Sequence, residues 1–107
     1  MFSTDRTRPL IEMNTPGDEV IHGQRLITSP GTSRQLSATT VTLKNGVLIR
    51  ALSTNVDKLY IGGPNVTKSN GHQIVKGEST SLAIKDLSAI YIIGDGAGDG
   101  ISFLASV

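Results

Sequence analysis

From residue 37 on, short runs of β-branched and aromatic residues alternate closely with clusters of turn formers, and this alternation leaves few folds open. The apolar runs are KLYIG (58–62), HQIVK (72–76), TSLAIK (80–85), AIYIIG (89–94) and ISFLASV (101–107). Between them stand Gly-Gly-Pro-Asn at 62–65, Ser-Asn-Gly at 69–71, Lys-Gly-Glu at 76–78 and GDGAGDG at 94–100. Glycine, asparagine and aspartate tolerate the backbone angles of tight turns, so each cluster ends one strand and starts the next. The last run alternates, with Ile101, Phe103, Ala105 and Val107 on one side and Ser102 and Ser106 on the other, as a half-buried strand does. No window repeats its apolar residues at helical spacing. Seven or eight short strands at this spacing predict an all-β fold, a small antiparallel β-sandwich or jelly-roll-like body with almost no helix.

VTLK-NG-VLIR, residues 41–50, reads as a hairpin. Asn45-Gly46 suits the two positive-φ positions of a type I′ turn. With that turn Lys44 pairs with Val47 and Leu43 with Leu48. Val41, Leu43, Leu48 and Leu52 then share one face, and Val47, Ile49 and Ala51 the other. A strand apolar on both faces is usually covered on both, and in 107 residues the second cover is expected from another molecule.

Residues 1–36 are different in kind. They hold Pro9, Pro16 and Pro30 and four of the five arginines, Arg6, Arg8, Arg25 and Arg34, with few apolar residues outside VIHGQRLI at 20–27. The expected organisation is an extended N-terminal arm over 1–36 and a β-sandwich body over 37–107. The arm has too little apolar content to fold alone. It is either a loose terminus or a segment that orders against a partner, with the forked guanidinium groups of Arg6, Arg8, Arg25 and Arg34 reaching a neighbour's carboxylates.

Composition narrows the function. Ten basic and nine acidic residues give a net charge of +1, so no overall field draws the chain to nucleic acid or an anionic membrane. No apolar window is long enough to span a bilayer, and the N-terminal stretch has no signal-peptide core. Without cysteine there is no disulfide, zinc-thiolate site or thiol nucleophile. His22 and His72 are the two imidazoles, with no informative spacing to a carboxylate or serine. Tyr60 and Tyr91 read as strand residues, too few to form a stacking platform.

GDGAGDG invites three chemical readings. A dinucleotide fingerprint needs a third glycine where Asp99 stands and a helix where ISFLA follows. A phosphate loop needs a lysine where Ile101 stands. A calcium β-roll needs glycines at Asp95 and Ala97 and stacked copies. What remains is a hairpin loop whose glycines allow positive φ and whose aspartates cap their own backbone. The expectation is a non-enzyme with no catalytic, cofactor-binding or metal-binding residues.

Residues 59–105 contain Tyr60-Ile61-Gly62, the Asn70-Gly71 turn, Gly77-Glu78-Ser79, Asp86-Leu87-Ser88, Tyr91 to Asp95 and Phe103-Leu104-Ala105. This succession resembles a pattern in small all-β virion proteins of tailed bacteriophages. It covers a little under half the chain, through turn and core residues, and leaves the arm unmatched. The resemblance implies a structural virion protein, a capsid cement or decoration protein made in the host cytoplasm and bound outside the major capsid protein shell. A homo-oligomer, dimer or trimer, is expected, with no direct contact to nucleic acid or membrane. The alternatives are a head–tail joining or baseplate component and, more remotely, a glycan-binding host-attachment module, with a hydrolase last.

Overall fold

The computed structural model describes residues 19–107. Eight strands run in chain order: β1 Val20–Leu26, β2 Arg34–Gln35, β3 Lys44–Ala51, β4 Leu59–Gly62, β5 His72–Ile74, β6 Ser79–Leu82, β7 Tyr91–Gly94 and β8 Gly100–Ser106. Among the described residues one 3-10 turn, Leu87–Ala89, precedes β7. Two four-stranded antiparallel sheets result, in the orders β1-β8-β3-β6 and β2-β7-β4-β5. The sandwich reading from the strand cadence holds.

The pairing is nested. β4 pairs with β5, β3 with β6, β2 with β7 and β1 with β8, as though one long hairpin with its tip at residues 63–71 had been rolled over itself. Rolling brings β3 against β8 and β4 against β7 and gives the jelly-roll order. Every connection except β4–β5 therefore crosses from one sheet to the other.

The core lies between the sheets and follows from alternation along the strands. Val47, Ile49 and Ala51 point inward from β3, Ile101 and Ala105 from β8, Leu59 and Ile61 from β4, with Ile74 and Ile92 facing them; all are buried. Leu36, Leu43, Leu87 and Ile90, from the connections, close the ends.

Two expectations need correction. Residues 20–36, assigned from sequence to an arm, belong to the sandwich: VIHGQRL is β1 and pairs along its whole length with β8, from Val20 opposite Ser106 to Leu26 opposite Gly100. Ile27 and Leu36 are core residues. Apolar content there is low because β1 is an edge strand with one wet face, and an edge strand reads much like a loop. Residues 1–18 of the expected arm, with Arg6 and Arg8, lie outside the described residues.

The Asn45-Gly46 hairpin is also absent. Both residues do take positive φ, 69° and 80°. They do so inside one continuous strand, as a bulge: Lys44 pairs with Ser106 and Val47 with the next residue, Ala105. Gly46 is sterically required, because a Cβ there would run into the Leu82 carbonyl oxygen of β6. The bulge turns Leu43 into the core with Val47 and leaves Leu48 outside. The two leucines thus lie on opposite faces, where the hairpin reading put them on one.

Asp86 ties the β6–β7 crossing to the start of β3. Its Oδ1 accepts from the Ser88 backbone N–H (2.9 Å), the Ser88 hydroxyl (2.8 Å) and the Val41 N–H (3.3 Å). The Ser88 backbone bond first, then its hydroxyl, hold the carboxyl below its ordinary pKa. A depressed pKa contributes stability that is complete above the unfolded carboxyl's range near pH ~4. That contribution is lost as pH falls through the lower folded value.

Two outcomes test these points. Gly46→Ala should cost about 1–3 kcal/mol through strain and the clash, read as a lowered denaturant midpoint; an unchanged midpoint would refute the bulge geometry. Asp86→Asn should flatten the stability profile on the acid side of pH ~4, and an acid limb identical to that of the parent protein would remove Asp86 from the account.

Candidate functional site

GDGAGDG is the crossing from β7 in one sheet to β8 in the other, and the reading as a hairpin is corrected on that ground. Gly98 has φ +91°, so the stretch does use the freedom of glycine. Its aspartates do not cap their own loop. Asp95 is exposed and forms an ion pair with Lys68 at 2.8 Å. That hydrogen bond, and then the charge of Asp95, hold the Lys68 ammonium above its ordinary pKa; such exposed pairs add little to stability.

Asp99 is 3% exposed and works as a clamp. Its Oδ1 accepts from the Val56 N–H and its Oδ2 from the Asp57 N–H, both at 2.9 Å. Next to it, Asn55 pairs with Gly100 as a strand residue would: Nδ2 donates to the Gly100 carbonyl at 3.0 Å, and the Gly100 N–H donates to Oδ1 at 2.8 Å. Asn55 is 5% exposed. The Ile27 N–H donates to the Asp99 carbonyl and the Gly98 N–H to the Ile27 carbonyl. Three inter-sheet crossings meet here: β3–β4 and β7–β8 are locked by the Asn55 and Asp99 side chains, and β1–β2 joins them through the backbone bonds of Ile27. The Asp99 carboxylate and the Asn55 amide are thereby used inside the fold. The role of Asn55 had no sequence signal beyond its place in a turn-rich stretch.

Of the arginines assigned to partner contacts, Arg25 and Arg34 are described. Arg25 is half-buried and donates Nε and Nη2 to the Leu36 carbonyl, at 3.3 and 2.9 Å. It braces the edge of one sheet to the end of β2 in the other. Arg34 donates Nη1 to the Thr28 hydroxyl at 2.7 Å beside a small recess lined by Thr28, Ser29, Thr32 and Ser33. His22 and His72 are exposed on different sheets. Among the described residues no three His, Asp or Glu side chains are grouped to hold a metal ion, and no helix is long and apolar enough to cross a membrane.

The surface most unlike ordinary solvent-facing surface is the outer face of the β1-β8-β3-β6 sheet. One row across it reads His22, Leu104, Leu48, Ser81 in register. Leu104 and Leu48 are direct cross-strand neighbours, 49% and 45% exposed. The row on one side is Gln24, Ser102, Arg50, Ser79 and on the other Val20, Ser106, Lys44. A leucine pair thus sits mid-sheet within a border of hydroxyl, amide and cationic groups, with the exposed Val20 at one corner. An apolar centre with a polar rim is the anatomy of a protein-binding patch. Single exposed leucines are ordinary, whereas paired ones on a sheet are a contiguous apolar area.

Asp99→Ala should leave the two N–H groups of Val56 and Asp57 without acceptors, at about 1–3 kcal/mol each if they stay dry. The expected readout is a fall in melting temperature of many degrees. A near-parental melting temperature would mean that water replaces the clamp.

No family model matches the chain, and a comparison with curated proteins finds no match either.

Proposed function

We propose that the protein is a structural docking module, a capsid cement protein of a tailed bacteriophage that binds the outer surface of a major capsid protein shell. The observation that carries the docking role is the Leu48–Leu104 pair at the middle of a sheet face on which Val20 and Leu26 are also exposed. The virion assignment rests on the resemblance over residues 59–105. The jelly-roll order recurs in capsid and lectin domains alike, so fold alone assigns neither.

The physical role follows from shape. A sheet face whose strands are paired through the β1-β8-β3-β6 ladder packs against another surface with little backbone rearrangement. A cement protein acts by burying area across a joint between capsomers, and standard interfaces bury about 1,600 Å² in total. One sheet face supplies part of that, so the working state is a dimer or trimer that presents several faces. Half-exposed leucines supply the hydrophobic share, at about 25 cal/mol per Å² removed from water. Arg50 and Lys44 at the rim steer the approach to an acidic surface.

Leu48→Lys with Leu104→Lys should leave the fold intact, with a melting temperature within a few degrees of the parent, because both side chains face solvent. Retention on purified, genome-filled capsids freed of tails should fall at least tenfold, about 1.4 kcal/mol. Equal retention of the variant would remove this face from the interface, and loss of the parent protein together with the tails would refute the cement role.

A further inference from the structure

Among the described residues the two sheets end in four edge strands, β1 and β6 in one and β2 and β5 in the other. β2 has two residues, β5 three and β6 four, and shortness is one way in which an edge is kept from pairing with other chains. β1 has seven, Val20–Leu26, paired to β8 without a register break. It holds no proline and no carboxylate, and its one guanidinium, on Arg25, is turned to the Leu36 carbonyl. Proline, bulge and short length, the usual defences of an edge, are all missing from β1.

Backbone alternation shows which groups line that edge. Glu19 exchanges both of its backbone bonds with Val107, and the Ile27 N–H donates to the Asp99 carbonyl. The odd-numbered residues between them therefore face β8, and Val20, His22, Gln24 and Leu26 direct their N–H and C=O groups away from it. We infer that this edge pairs with β1 of a second copy of the chain, antiparallel about a two-fold axis through Gly23, so that two four-stranded sheets become one of eight strands.

The strand is complementary to itself in this register, which selects a second copy as the occupant. The axis sets Val20 opposite Leu26 and His22 opposite Gln24, and all four N–H and four C=O groups of each edge find partners. Val20 and Leu26 are 67% and 40% exposed at the two ends of β1, and the pairing covers each with the other. A slip by two residues would set Val20 opposite Gln24 and leave Leu26 without a partner in the strand. At the axis two glycines meet. Theirs is a pair without mutual hydrogen bonds, in which the Cα atoms approach to about 4.5 Å, and neither carries a Cβ. Each fold already reserves that position for glycine, because a Cβ at Gly23 would meet the Phe103 ring at 2.8 Å. On the inner face Ile21 lies opposite the apolar stem of the second copy's Arg25. The pairing supplies an interface for the proposed oligomer but depends on β1 alone, and it is tested without capsids, so its failure and failure of the capsid role are separate results.

The chain has no cysteine, so introduced thiols report the register. Full-length protein should sediment as a dimer at tens of micromolar. Val20→Cys and Leu26→Cys proteins, mixed under mild oxidation, should form a disulfide-linked pair, because opposed Cα atoms in such a ladder lie about 5.5 Å apart. Neither protein should cross-link alone, since the two copies of either position are about 20 Å apart along the strands. Gln24→Pro removes a donor that β8 does not use, and it should weaken the dimer at least tenfold while leaving the melting temperature of dilute protein within a few degrees. Val20→Lys with Leu26→Lys, which sets like charges opposite each other, should weaken it equally and guards against distortion of β1 by the proline. A parent protein that stays monomeric overturns the inference. So does a dimer that resists both sets of changes, or one in which the mixed thiols fail to join, since either result places the contact on another surface.

Discussion

Gly100 is held through both of its backbone groups by the distant β3–β4 connection. Its N–H and C=O are both paired with the Asn55 amide, and the carbonyl also accepts from Leu52. Immediately before it, Asp99 holds Val56 and Asp57 by its carboxylate and Ile27 by its carbonyl. In a nested topology the connections cross between sheets, so local turn bonds such as Thr32 N–H to the Ser29 carbonyl and Asp99 N–H to the Gly96 carbonyl leave other backbone groups to be paired at a distance. Each crossing leaves backbone groups at a buried end, where an unpaired donor is costly. The Asn55–Asp99–Gly100 cluster answers that need for three crossings at once. It also limits the end of the sandwich to small residues: a Cβ at Gly100 would collide with the Arg25 carbonyl oxygen.

The bulge in β3 serves the opposite surface. Two extra residues with positive φ let Leu43 and Val47 both face inward while the strand continues to Ala51. Leu48 is then forced outward by simple alternation, next to Leu104. The apolar pair that carries the docking proposal is thus a geometric consequence of how β3 is held between β6 and β8.

Much of the body was legible in order. KLYIG, HQIVK, TSLAIK, AIYIIG and ISFLASV all contain strands, because an apolar run between turn formers states its own limits locally. β1 was not legible as body. Its partner ISFLASV is about 80 residues further along, and VIHGQRLI beside two prolines and an arginine looks like loop until that partner is known. Arg25 follows suit: a guanidinium reads as a surface group, yet it closes a sheet edge against the Leu36 carbonyl.

Local chemistry settled what each residue can tolerate: Asn45 and Gly46 adopt positive φ, Gly98 does likewise, and β-branched runs extend. Those preferences act over one or two peptide units and survive in any context. Tertiary structure settled what the tolerance is used for. Asn45-Gly46 would turn the chain if Val47 paired with Lys44, but β8 offers Ser106 and Ala105 as partners, and the same two residues become a bulge. GDGAGDG would be a hairpin if β7 and β8 were neighbours, but they lie in different sheets, and Asp99 becomes a clamp on a distant loop. Pairing over long sequence distance is decided by the summed burial of the whole sandwich, and no short stretch carries that sum.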